Sequence, residues 1–271
     1  MNTPNAIEIK NVELAYGPVE VLRKIFFSIP SGSFFIIIGP NGSGKTTLLK
    51  ALASVEPISG GEIWIDEKPM KEYAHRILAQ KIAMVPQVIS DDFPFTTLEM
   101  VIMGRSPHQG LLGLSSFDDR QKAIQAMEFT QTIHLTDRKM NQLSGGERQR
   151  VMIARAICQE PDIILLDEPT ASLDPAHQVR IMDLMKLLQE EKGVTVVMVS
   201  HDINLAAMYG DEILLLKDGQ VVHAGIPFDV LTFDRLEATY GCMLLVDESP
   251  LGNFPRITPV PNRLKMARSE K

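Results

Sequence analysis

Cysteine is scarce in this chain of 271 residues, with only Cys158 and Cys242 present. Two thiols so far apart cannot build a disulfide framework or a zinc knuckle, which suits a reducing compartment and leaves both reading as small core residues. No apolar run approaches the roughly 18 residues that a membrane-spanning helix needs. If the protein acts at a membrane, another polypeptide does the spanning. The amino terminus, MNTPNAIEIK, has no basic segment ahead of an apolar stretch, so a signal peptide is not expected. Basic residues are not in excess: 27 Lys and Arg face 34 Asp and Glu, for a net charge of −7. That balance argues against general affinity for a nucleic-acid backbone. Internal repeats and low-complexity blocks are absent, and His75, His134, His177 and His223 share no metal-ligand spacing, so structural or surface roles are expected for them.

What the chain does contain is an apolar run that ends in a glycine loop, IIIGPNGSGKTTL over 36–48. The spacing of Gly39, four residues, Gly44, Lys45 and Thr46, between a buried strand and a helix, is that of a phosphate-binding loop. Its glycines let successive N–H groups point into one concavity, the helix adds the positive end of its dipole, and Lys45 brings a mobile cation. The Thr46 hydroxyl suits Mg²⁺.

At 45% hydrophobic residues the chain can bury a full core, as one domain with a subdomain. Segments 6–14, 21–29, 34–38 and 62–65 are rich in Ile, Val and Phe between Gly or Pro and predict strands. From 94 to 157 the periodicity turns helical, for example over 118–130, and predicts a helical insertion. Strands at 82–85, 163–166, 195–199 and 212–216 alternate with helices over 175–190 and from Ile203, which implies a parallel sheet covered on both faces. The stretch 249–271, with four prolines and five basic residues, predicts an extended, partly disordered tail.

Two further motifs carry chemistry. DIILLDEPT over 162–170 is an apolar strand that delivers two adjacent carboxylates at its carboxyl end, where ligands bind in open parallel sheets. Neighbouring strand residues point to opposite sides, so Asp167 is assigned to the metal and Glu168 to the attacking water. LSGGERQR over 143–150 precedes a periodic helix; Ser144, Gly145 and Gly146 there form a good cap and, with the same groups, a second anion site.

With these motifs together, residues 6–245 resemble the nucleotide-binding subunits of ABC ATPases. GPNGSGKTT is similar to the Walker A loop, which assigns phosphate contacts to Gly39, Pro40, Asn41, Gly42, Ser43, Gly44, Lys45, Thr46 and Thr47. LSGGE resembles the signature, assigning nucleotide contacts to Ser144, Gly145, Gly146 and Glu147, and IILLDEP resembles the Walker B strand. The resemblance further implies that Tyr16 stacks on adenine, that Gln87 meets both Mg²⁺ and the attacking water, and that His201 contacts the γ-phosphate. It also implies that Asp174 lies on a loop crossing to the other subunit, while Asp before Pro175 is equally a plain helix start. The implied fold is α/β: a phosphate-loop NTPase core of RecA type with an antiparallel β subdomain and an inserted helical subdomain near 90–158, the cassette ending near 245 and a tail following over 246–271.

Glu168, His201 and Gln87 are thus the expected catalytic residues, Thr46, Gln87 and Asp167 the expected metal ligands, and ATP and Mg²⁺ the expected cofactors. The implied partners are a second nucleotide-binding domain, most simply another copy of this chain, polytopic permease subunits, and indirectly a substrate-binding protein. A peripheral place on the cytoplasmic face of the inner membrane follows from them. The stretches VIMGRSPHQG, LTDRKMNQLSGGERQR and GIPFDVLTFDRLEATYG are most similar to ATPases of importers for iron-siderophores, heme and cobalamin, with His108 near the permease dock. The alternative from another class is a soluble ABC ATPase of iron–sulfur cluster assembly.

Overall fold

The strand FFIII, with all five residues buried, sets the architecture of the computed structural model, which describes residues 4–88, 94–110, 114–171 and 173–261. A strand apolar on both faces must be covered twice. Phe34, Ile36 and Ile38 face a core shared with the helical segment and later helices, and Phe35 and Ile37 face a second core shared with the amino-terminal sheet.

In chain order, β1 (Asn5–Tyr16) and β2 (Val19–Pro30) form an antiparallel hairpin, and β3 (Phe34–Ile38) leads through the glycine loop into α1 (Lys45–Leu52). Then come β4 (Gly60–Ile65), β5 (Lys68–Pro69), α2 (His75–Lys81) and β6 (Ile82–Val85). The helical segment holds α3 (Thr97–Ile102), α4 (Phe117–Phe129) and α5 (Gly145–Cys158). The core resumes with β7 (Ile163–Asp167), α6 (Pro175–Lys192), β8 (Thr195–Val199), α7 (Ile203–Tyr209), β9 (Glu212–Lys217) and β10 (Gln220–Gly225). The chain then continues through α8 (Pro227–Val230), α9 (Phe233–Tyr240), β11 (Leu244–Glu248) and β12 (Pro255–Pro259).

One sheet has the order β10-β9-β3-β8-β7-β6, parallel except for β10; the other is antiparallel with order β2-β1-β4-β5. The Leu48, Leu49 and Leu52 side chains of α1 fill the space between the sheets, each stabilising by about 1.5–3 kcal/mol if fully transferred from water. Parallel strands β3, β7 and β8 end together, and this common edge is where a ligand is expected.

Each of α3, α4 and α5 begins with a reciprocal cap: Thr96 with Glu99, Ser116 with Asp119, and Ser144 with Glu147. The GRSPH segment ties this layer to the core. A Cβ at Gly104 would lie 2.2 Å from the Arg155 carbonyl oxygen, so α5 and this turn meet backbone to backbone. Buried Arg105 donates to Asp119 at 3.0 Å, to the Cys158 carbonyl at 2.8 Å and to Glu160 at 2.9 Å. His108 Nε2 meets the Gln159 carbonyl at 2.8 Å, and Arg76 and Gln80 of α2 each donate to the Pro107 carbonyl at 2.9 Å.

Two expectations need correction. Cys158 is buried, its thiol pushed up to about 12 by loss of solvent, but Cys242 is exposed because it follows the left-handed Gly241 that stops α9. The stretch from 249 is not a plain tail, since β12 pairs with β11 and buries Ile257. Asn204 of α7 donates to the Ile257 carbonyl and accepts its N–H, and Arg256 forks onto Asp247, so a boundary at 245 cuts through β11. The portion expected at 262–271 lies outside the described residues.

Candidate active site

The loop after β3 can form only with glycine at its turning points. Gly39 has φ 154°, and a Cβ there would sit 2.1 Å from the Leu216 carbonyl oxygen at the end of β9. Gly42 and Gly44 are left-handed at φ 77° and 97°. The loop is braced from outside, because Gly219 donates its N–H to the Ser43 carbonyl at 3.0 Å. Gly44 caps α1 without a side chain, so the first amides of α1 have no competing side-chain acceptor. The Ser43 hydroxyl is buried and has no hydrogen-bond partner among the described residues. Such a set fits a phosphate.

Lys45 is 5% exposed and donates to the carbonyls of Gly39 and Pro40, each at 2.9 Å. Burial lowers its pKa, against the pull of Glu168 and Asp167. Thr46 Oγ1 donates to Asp167 Oδ1 at 3.0 Å. Burial raises the Asp167 carboxyl, the Thr46 hydrogen bond opposes this, and the Glu168 charge adds to it.

Glu168 follows β7 in a left-handed conformation, φ 49°, held by its N–H to the Val199 carbonyl at 3.1 Å. The backbone turn separates its carboxylate from that of Asp167. Gln87 Nε2 donates to Glu168 Oε2 at 2.5 Å, and His201 Nε2 bonds Oε1. A carboxylate only accepts, so Nε2 of His201 carries the proton. Gln87 and His201, from the ends of β6 and β8, therefore both touch Glu168 at the end of β7.

A hollow of about 430 Å³ is lined by Val21, Asn41, Gly42, Gly44, Lys45, Thr46, Thr47, Gln87, Glu168 and His201. Tyr16 is not among its walls; it stands 45% exposed at the end of β1, whose hairpin brings Val21 against Gly44. Ser144, Gly145, Gly146, Glu147 and Asp174 do not line it either. The first four open α5, where Glu147 accepts from the Ser144 hydroxyl at 2.8 Å and from its N–H at 2.9 Å. Asp174 caps α6 by accepting from the His177 N–H at 3.0 Å. Within one chain the signature residues and Asp174 thus lie apart from the hollow over the phosphate loop.

A family model described as ABC transporter matches residues 22–171. The ferric enterobactin transport ATP-binding protein FepC of Escherichia coli (strain K12) is 36% identical over 251 residues, 93% of each chain. The chain belongs to the ABC transporter family. Among solved structures this ABC ATPase is similar to a metal-chelate type ABC transporter in an inward-facing conformation, with TM-score 0.85 and 30% identity over 97% of this chain and 100% of that one. It also resembles a dimeric ATP-binding cassette bound to ADP and Pi in a post-hydrolysis state, with TM-score 0.72 and 35% identity over 81% of this chain and 98% of that one. The soluble iron–sulfur alternative gains nothing from these likenesses. Among the described residues, no helix is long and apolar enough to cross a membrane.

Sequence reading missed three neighbours of the site. Val21 walls the hollow, and its signal is only that of a strand residue. Half-buried Tyr240 of α9 sets its phenol against the backbone of Gly39, and loss of solvent pushes it up to about 12. It lies in the ATYG stretch already singled out. The third is His177, expected to be structural or surface, which lies against Gly146 of the signature.

Proposed function

We propose that two copies of this ABC ATPase close head-to-tail on two ATP molecules and that the cycle drives uptake of a metal chelate through a separate polytopic permease. The chelate class is iron-siderophore, heme or cobalamin; the relative named for ferric enterobactin and the metal-chelate type transporter support the reading. The observation that carries the dimer is the split site: the hollow holds Lys45, Thr46 and Glu168 but not Ser144 or Gly146. Each nucleotide then lies between the phosphate loop of one chain and the signature turn of its mate, with Tyr16 stacked on the adenine and Asp174 at the seam. Glu147, by accepting from the Ser144 N–H and hydroxyl, holds the signature turn in shape, and the hydroxyl turns its proton from Glu147 to the phosphate on closure.

The donor set fits Mg²⁺: a hydroxyl and a carboxylate 3.0 Å apart, with the Gln87 amide nearby, are hard oxygen ligands, and phosphates complete such a shell. Thr46, Asp167 and Gln87 would hold the ion, which would neutralise charge on the phosphate oxygens. Glu168 accepts the proton of the attacking water while Gln87 and His201 fix both its oxygens. His201 keeps its Nε2–H on Glu168, which sets the imidazole in the wall of the hollow beside the terminal phosphate. The ATPase is peripheral on the cytoplasmic face of the membrane, with the GRSPH turn and His108 beside the permease and a substrate-binding protein acting from the far side.

Glu168→Gln should retain ATP binding and lose turnover by about 10²–10⁴-fold. A variant that hydrolyses at a near-normal rate refutes the assignment. Extraction of the native complex in detergent should bring down a polytopic subunit; isolation with soluble scaffold proteins alone contradicts the importer reading.

A further inference from the structure

Gly146 is buried in the first turn of α5, and what fills the space beside it is a side chain from another element. A Cβ at position 146 would lie 2.7 Å from His177 Cδ2 and 3.2 Å from Cγ. Only the absence of that carbon lets the imidazole approach the backbone of the signature turn. The opposite side of the same ring is fixed as firmly. His177 Nδ1 is 2.8 Å from Asp174 Oδ2, and Asp174 Oδ1 accepts the His177 backbone N–H at 3.0 Å. Both oxygens of the Asp174 carboxylate are therefore occupied by one residue. The backbone N–H, then the ring, hold that carboxyl below the usual range, so it stays ionised and keeps the ring in the tautomer that donates from Nδ1.

The link continues toward the chemistry. Gln178, next along α6, donates to the Thr170 carbonyl at 3.3 Å, and Ala171 donates its N–H to the Glu168 carbonyl at 3.0 Å. Glu168, Thr170 and Ala171, the start of α6 and the signature turn are thus joined by direct contacts, with His177 as the member that crosses from α6 to α5.

We propose that His177 is a positioning residue that locks the Asp174 loop to the Gly145–Gly146 turn, so that the parts of one chain facing two different nucleotides move as one piece. The functional half of this inference rests on the head-to-tail reading; the mechanical half does not. In the proposed dimer, Gly146 addresses the nucleotide held by the partner, and Glu168 addresses the chain's own. A rigid link between them makes closure at one nucleotide felt at the other. His177 touches neither nucleotide in this scheme and acts only through Asp174 and Gly146.

The mechanical half is tested by hydrogen exchange on the full-length, nucleotide-free chain. His177→Asn keeps a donor for Asp174 and removes the ring edge from Gly146. It should raise exchange in the first turn of α5 about tenfold while leaving the start of α6 protected. His177→Ala should raise both segments together. If either variant alters α6 alone, the lock to the signature does not exist.

The functional half is read in a Glu168→Gln background by ATP-dependent dimer formation. Gly146→Ala should weaken dimer formation, and adding His177→Ala should recover about tenfold of the loss, because the collision is with the imidazole. Absence of recovery overturns the steric lock. If the Glu168→Gln parent itself never pairs, the dimer reading fails, while the exchange result still decides whether the two turns are joined.

Discussion

Glu168 illustrates how a single backbone angle positions the proposed base. Its left-handed φ of 49° is uncommon for a residue with a Cβ, and three interactions hold it: the Val199 carbonyl, Gln87 and His201. Two donors on two oxygens leave the carboxylate no freedom to rotate, and a base that cannot rotate loses little entropy when water arrives. Removing one donor should therefore lower the rate more than it lowers affinity. His201→Ala is expected to reduce kcat about 100-fold with ATP binding nearly unchanged, as measured by steady-state turnover beside equilibrium nucleotide binding. Equal losses in both would place His201 in ground-state binding instead. At this scale the sequence was legible where a residue's neighbours lie in the same motif. Gly39, Gly44, Lys45 and Thr46 could be named from their spacing, Asp167 and Glu168 from the end of an apolar strand, and the rest of the loop only from the family resemblance. His177 and Tyr240 could not, since each meets its glycine only through packing of distant elements.

At the scale of elements, the helical layer depends on charge more than the sheets do. Its three helices start on reciprocal caps whose acids are Glu99, Asp119 and Glu147, and in each the hydrogen bond from the capping residue's backbone holds the pKa below its ordinary value. A depressed carboxyl contributes stability above its unfolded pKa and loses it as pH falls through the folded value. Below about pH 4, where free carboxylates take up protons, these caps should weaken together. Hydrogen exchange followed from pH 7 downward, corrected for intrinsic rates, should show α3, α4 and α5 opening before β3, β7 and β8. A uniform loss across both layers would contradict this. Helix and strand positions here were largely visible beforehand: β3 matches its apolar run, and α6 ends at left-handed Gly193 as its glycine suggests. The β11–β12 hairpin was hidden because prolines border β12, and prolines argue against a strand until the partner strand is seen.

On the scale of the whole molecule, the split between two sets of residues carries the proposed dimer. The hollow above the phosphate loop lacks the signature turn, which opens α5 elsewhere on the same chain. The fold class, with its two sheets and helical layer, was readable from alternation and motif order. The joining of signature turn to Asp174 loop was not, because no periodicity encodes a contact between two helix starts. The central claim is that triphosphate is clamped between two copies. Sedimentation of the Glu168→Gln variant, with and without saturating ATP and Mg²⁺, tests it most directly. The predicted result is a nucleotide-dependent dimer that disappears when Ser144→Arg is added; a Glu168→Gln chain that stays monomeric while fully loaded with ATP would contradict it.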